Sequence, residues 1–130
     1  MIRKWKMVML MGLMVSVLGA CQSNSVENID ADQAIELMDD NPEIVLLDVR
    51  EYNEYVTERI EGSELLPLSI LEGSLETAYP DKDTTFIVYC RSGNRSAEAV
   101  EIMLEQGYEN IYNLGGILDW PYDTISGAPS

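Results

Sequence analysis

An α/β fold, a central parallel sheet with helices on both faces, is predicted by three features of this sequence. Short strand-like runs alternate with amphipathic helical stretches along the chain, the pattern of parallel strands joined by helical crossovers. The run Ile44 to Val49 is apolar except for Asp48, as expected of a strand buried on both faces. The β-forming run Thr85 to Tyr89 delivers a single cysteine, Cys90, to a short loop of small residues that leads into a helical pattern. At 130 residues the chain is too short for two ordinary domains, and the fold is placed in residues 29–127.

The elements follow in order. Asn28-Ile29 reads as a short strand. Asp30 then fits a helix N-cap, with Gln33 in the capping-box position. Ala31, Ala34, Ile35 and Met38 form the apolar stripe of a helix that runs to about Asp39 and ends at Asn41-Pro42. After the strand 44–49 comes a short helix, Tyr52 to Val56. Gly62 opens a connection to the apolar stretch Leu65 to Leu68. Leu71 to Tyr79 reads as a helix weakened by Gly73, and Pro80 to Asp83 as a turn. The strand 85–89 precedes the cysteine loop. The helix behind it is expected over Ser96 to Gln106, on the spacing of Ala97, Val100, Met103 and Leu104, with Gly107 at its C′ position. Ile111 to Leu114 is a further short strand, and Gly115-Gly116 begins a tail that contains Trp120.

The N-terminus has a different character. Arg3, Lys4 and Lys6 precede the uncharged run Met7 to Leu18, too short for an ordinary transmembrane helix and typical of an export signal. Leu18-Gly19-Ala20-Cys21 resembles the lipobox of bacterial lipoproteins, in which the cysteine is lipidated and becomes the mature N-terminus. The expectation is a signal peptide at 1–20, then a lipidated Cys21 and a polar tether over 21–28. That implies a lipid-anchored, extracytoplasmic protein at the cell membrane. It would also occupy one of the two cysteines and leave Cys90 free in an oxidising setting, with a Cys21–Cys90 disulfide as the competing account. The formal net charge is −15, and loss of residues 1–20 makes it more negative still. Such acidity argues against nucleic acid as a partner and against electrostatic docking on anionic lipid.

Chemistry concentrates in Cys90-Arg91-Ser92-Gly93-Asn94-Arg95-Ser96. A strand, a tight loop and a helix N-terminus make an anion cradle, since loop N–H groups can turn inward and Gly93 allows φ > 0. A cysteine in that field is expected to have a lowered pKa and to act as a nucleophile. Arg91 and Arg95 are placed to focus the field on anions. Asp48 and Arg50 are read as an ion pair or backbone anchor near the site, with Asp48 and Cys90 facing one crevice from neighbouring strand ends. No metal is expected, since the chain has no histidine and no clustered cysteines, and no cofactor is required.

These segments resemble the rhodanese-like domain family. Leu46 to Glu51, followed by Glu54-Tyr55, is similar to its Asp-Val-Arg marker. Arg59 to Ser63, followed by Pro67, stands at its second marker, with Glu58, Arg59 and Glu61 where Gly-His and Pro are common. That corner is read as structural, with Arg59 on its surface. Cys90 to Ser96 is similar to the active-site loop, and Leu114-Gly115-Gly116 with Trp120 to the C-terminal marker. The resemblance implies a sulfurtransferase in which Cys90 carries sulfur as a persulfide, from a small sulfur-containing anion such as thiosulfate to cyanide or a thiol, including a thiol-bearing protein. Related phosphatases and arsenate reductases use a cradle one residue longer, so Cys-x4-Arg favours a sulfur atom as the group held. A binding or redox- and stress-sensing module is the alternative.

Overall fold

The computed structural model describes residues 26–129. Cys21, the leader and most of the tether lie outside the described residues. The elements are β1 (Glu27–Asn28), α1 (Ala31–Asp40), β2 (Val45–Asp48), α2 (Tyr52–Thr57), β3 (Glu64–Leu65), α3 (Leu68–Ala78), β4 (Phe86–Cys90), α4 (Asn94–Glu105), β5 (Ile111–Gly116) and a 3-10 turn over Ile117–Asp119. The five strands form one parallel sheet in the order β1-β5-β4-β2-β3. Parallel strands need long crossovers, and α1 to α4 supply them.

β4 is the centre of the sheet, and every one of its residues is buried, because it has strands on both edges and helices on both faces. Alternation sorts the sheet into two cores. Leu47, Val49, Phe86, Val88 and Cys90 face one way, onto Leu71 and Leu75 of α3 and Ala99, Val100 and Met103 of α4. Leu46, Ile87 and Tyr89 face the other way, onto Ala34 of α1, Ile60 and Ile117. Fully burying a side chain of this size contributes about 1.5–3 kcal/mol, so the two faces carry most of the stability.

Local chemistry sets the ends. Asp30 accepts from the Gln33 N–H at 2.9 Å while the Gln33 side chain accepts from the Asp30 N–H at 2.9 Å, the reciprocal cap expected of that pair. Three boundaries differ from expectation by two residues or more. α3 begins at Leu68, since Pro67 suits the position before a first turn and Gly73 is tolerated on the exposed face. α4 begins at Asn94, because Gly93 at φ +105° turns the chain and lets the helix start two residues earlier than the expected Ser96. Gly115-Gly116 does not begin a tail: it ends β5, with Gly116 paired to Cys90.

Candidate active site

The cysteine loop lies at the C-terminal edge of the sheet, where ligands collect in open parallel α/β folds. β4 carries Cys90 into the interior at 1% exposure, facing α3 and α4. The chain turns through Arg91, Ser92 and Gly93, and α4 starts at once. The Gly93 N–H donates to Cys90 Sγ at 3.0 Å. Burial alone would push the thiol pKa up, and it is the largest single influence. It is outweighed by donors converging on the sulfur from the N–H and hydroxyl of Ser96 and the N–H groups of Gly93 and Arg95, so the Cys90 pKa is lowered. The Ser96 hydroxyl also donates to the Gly93 carbonyl at 3.0 Å, and its rotation decides which partner takes the proton. The early start of α4 matters here, since it places the N–H groups of Arg95 and Ser96 in the unpaired first turn of a helix, with the positive end of its dipole beside the sulfur.

Gly116 makes room for the loop. A Cβ at this position would lie 2.4 Å from the Arg91 carbonyl oxygen and 2.9 Å from Ser92 Cα. The Leu118 N–H donates to the same Arg91 carbonyl at 3.2 Å, which fastens the loop to the segment after β5.

Asp48 and Arg50 form a buried pair. Arg50 Nη2 lies 2.7 Å from Asp48 Oδ2, and Nε lies 3.0 and 3.1 Å from the two carboxylate oxygens. Asp48 Oδ1 also accepts from the Arg50 N–H at 2.9 Å, and Nη2 donates to the Glu58 carbonyl at 2.6 Å. Burial works against the Arg50 charge, and the Asp48 carboxylate more than offsets it. Arg50 also stands over the Tyr89 ring, 5.6 Å from its centre. The expectation that Asp48 and Cys90 share a crevice is corrected by the ladder. Asp48 is paired with Tyr89, so its side chain shares the face of Tyr89, and Cys90, one residue on, points to the opposite face.

Arg95 differs from expectation in a second way. Its Nη1 and Nη2 reach the two oxygens of Glu54 at 2.6 and 2.8 Å, a bidentate pair joining α4 to α2. The Arg95 hydrogen bond is the main cause that draws the Glu54 pKa down to about 2. Most of the Arg95 charge is therefore met within the fold, and Arg91, exposed on the loop, is the cation left facing solvent. Ser92 and Asn94 are exposed as well. Glu54 is a site residue absent from the residues predicted for the site, although Glu54-Tyr55 follows the Asp-Val-Arg segment. A carboxylate four residues after Arg50 is the one signal that pointed to it.

Arg59 is also corrected. It is 8% exposed rather than on the surface. Its Nη1 donates to the Gly127 carbonyl at 2.6 Å, its guanidinium covers the Tyr55 ring at 4.6 Å, and its backbone pairs with Ile125. It holds the C-terminal segment onto the corner after α2. Beside the cysteine loop a cleft of about 460 Å³ is lined by Arg50, Glu54, Arg91, Leu118 and Trp120, among others. No group of histidine, cysteine and acidic side chains suited to a metal ion occurs among the described residues.

Fold and loop together define a parallel α/β domain that presents one thiolate-prone cysteine in a nest of N–H donors at its sheet edge. Residues 30–122 match the rhodanese-like domain family, and the chain belongs to it. It is 37% identical over 81 residues to the thiosulfate sulfurtransferase PspE of Escherichia coli, covering 62% of this chain and 78% of that protein. It is 31% identical over 96 residues to a sulfurtransferase of Allochromatium vinosum, covering 73% of this chain and 88% of that one. A solved structure, the rhodanese with anions from E. coli, superposes with a TM-score of 0.59 at 36% identity, covering 65% of this chain and 99% of that chain. Other curated relatives are longer, and the chain spans 26% of their length.

Proposed function

We propose that this protein is a sulfurtransferase that relays sulfane sulfur through a Cys90 persulfide. The observation that carries the proposal is the Cys90 sulfur itself, buried, hydrogen-bonded by the Gly93 N–H at 3.0 Å and surrounded by the first-turn donors of α4. The names of the E. coli and A. vinosum relatives support the reaction class.

In the first step the Cys90 thiolate attacks the outer sulfur of thiosulfate. The sulfur–sulfur bond of the donor breaks, sulfite leaves with the bonding pair, and Cys90 becomes a persulfide anion. In the second step a nucleophile attacks the terminal persulfide sulfur. Cyanide leaves as thiocyanate, or a thiolate becomes a persulfide, and the Cys90 thiolate returns. The nest stabilises negative charge on sulfur at both stages, with donors fixed before reaction. The absence of histidine from the chain rules out a protein imidazole as base, so the loop's own field must supply the thiolate.

The site of action is part of the proposal. The leader and lipobox-like residues up to Cys21 support a lipid-anchored protein on the extracytoplasmic side of the cell membrane. Separate experiments test the two parts. With thiosulfate and cyanide, the purified chain should produce thiocyanate, and Cys90→Ser none. Mass spectrometry of the donor-treated chain should show a gain of about 32 Da, one sulfur atom, on Cys90. No thiocyanate and no mass gain with several donors would end the sulfur-relay reading. For the anchor, Cys21→Ala should move the protein out of the membrane fraction, and an unchanged distribution would rule out lipidation there.

A further inference from the structure

Five large hydrophobic side chains stand exposed among the described residues: Tyr52, Ile70, Leu118, Tyr122 and Ile125. Three of them belong to one edge of the molecule. Tyr52 is in the first turn of α2, Ile70 in the first turn of α3, and Leu118 in the 3-10 turn after β5. Each of these segments follows the C-terminal end of a strand, and β5 and β2 flank the central β4 that carries Cys90. The three positions therefore share the strand-end edge that carries the cysteine loop.

Two of them are tied to that loop by short links, and the third is tied to α2. The Leu118 N–H bonds the Arg91 carbonyl. The α2 helix that begins at Tyr52 holds Arg95 through Glu54. Ser69, next to Ile70, donates to Glu51, next to Tyr52, at 3.0 Å. Tyr52, Ile70 and Leu118 are 56%, 52% and 63% exposed. An apolar rim of this kind marks a surface that another molecule covers.

Charge identifies the kind of molecule. Each rim hydrophobe has an exposed acidic residue within two positions in sequence: Glu51 by Tyr52, Glu72 two residues after Ile70, and Asp119 by Leu118. The loop sets one exposed cation, Arg91, against them, and the chain as a whole carries −15. A surface that is apolar and acidic fits a partner that is apolar and basic. The sulfur sits below the rim, with Cys90 at 1% exposure. Persulfide formation lengthens the reach by one sulfur–sulfur bond, about 2 Å.

We propose that the rim formed by Tyr52, Ile70 and Leu118 docks a basic protein segment that presents a cysteine thiol to the Cys90 persulfide. The proposal uses the sulfur relay for what is transferred, and the docking itself can be measured without it. The thiolate of the partner attacks the terminal sulfur of the persulfide, the Cys90 sulfur leaves with the bonding pair, and the partner departs as the persulfide. The reaction needs no outside oxidant or reductant.

The probes are two synthetic peptides, each with one cysteine flanked by leucines, differing in lysine or glutamate at the remaining positions. Binding is measured to Cys90→Ser, which removes the chemistry, and sulfur release is measured from the persulfide-loaded full chain. The lysine peptide should bind at least about 10-fold tighter than the glutamate peptide, less so at high salt. Tyr52→Ser and Ile70→Ser should each weaken it about 5- to 20-fold, the effect of removing an apolar anchor. The same variants should leave the rate of thiocyanate formation with cyanide unchanged, which also shows that they fold.

Equal binding of the two peptides, or peptide binding untouched by both rim variants, would overturn the docking surface. So would rim-dependent binding to phosphatidylcholine vesicles without rim-dependent peptide binding, since the occupant would then be lipid. Rim-dependent peptide binding without any sulfur loading would keep the surface and remove the sulfur relay.

Discussion

Cys90 is a thiol that burial should keep protonated, and the donors around it reverse that preference. The Ser96 N–H and hydroxyl and the Gly93 and Arg95 N–H groups favour the thiolate. Alkylation measured against pH should therefore give an apparent Cys90 pKa below the free value of about 8.5. Ser96→Ala removes one donor and should raise it, and an unchanged value would show that the hydroxyl bonds only the Gly93 carbonyl. Glu54 makes a prediction of the opposite kind. Its folded pKa, about 2, lies below the ordinary carboxylate value of 4.5. The stability it contributes is complete above pH 4.5 and is lost as pH falls through about 2. Both partners are partly exposed, so solvent screening reduces the contribution to about 1 kcal/mol or less. Urea denaturation of Glu54→Gln should show that loss at pH 7, and the gap from the parent should shrink between pH 5 and pH 2.

Two glycines show how much an element depends on its surroundings. Gly73 sits on the exposed face of α3, and a Cβ there would meet nothing within 4 Å. Gly73→Ala should stabilise the protein by about 0.5–1 kcal/mol through helix propensity, seen as a higher Tm. Gly116 is the reverse case. A Cβ would meet the Arg91 carbonyl oxygen at 2.4 Å, and backbone on both sides cannot yield cheaply. Gly116→Ala should leave the secondary structure intact by circular dichroism while shifting the cysteine loop. Cys90 alkylation and sulfur loading should then fall at least about 10-fold, since a displacement of about 1 Å costs that much or more at a positioned site.

At the scale of the whole molecule, the chain closes on itself through its C-terminal segment. Ile125 pairs with Arg59 in both backbone directions at 2.9 Å, and the Gly127 N–H reaches the Val56 carbonyl at 2.7 Å. The Arg59 guanidinium is buried against the Tyr55 ring and the Gly127 carbonyl. Removing residues 124–130 would leave that guanidinium without its main acceptor. The truncated chain should lose about 1–3 kcal/mol in urea denaturation, the cost of unpairing a buried polar group. The matched family region ends at residue 122, so this strap is a feature that the family match does not include.

Much of this was legible in the sequence because it depends on local order. Alternation of strand and helix patterns is enough to predict a parallel sheet, and Asp30 with Gln33 is enough to predict a reciprocal cap. A lone cysteine between a β-forming run and a glycine loop is enough to locate the nest, since strand end, loop and helix start are contiguous. The rest depended on neighbours distant in sequence. Whether Asp48 and Cys90 share a face is decided by the register of β2 on β4, and one residue of register reverses the answer. Whether Arg95 greets a substrate or is held internally is decided by Glu54, 41 residues away on another helix. Whether Arg59 is surface or staple is decided by Gly127, 68 residues on. The sequence by itself determined the fold class and the position of the nucleophile, because hydrophobic period and turn chemistry act over a few residues. The tertiary structure alone decided the charge of the mouth and the rim around it, because ion pairing and exposure are set by packing between elements that the chain order does not bring together.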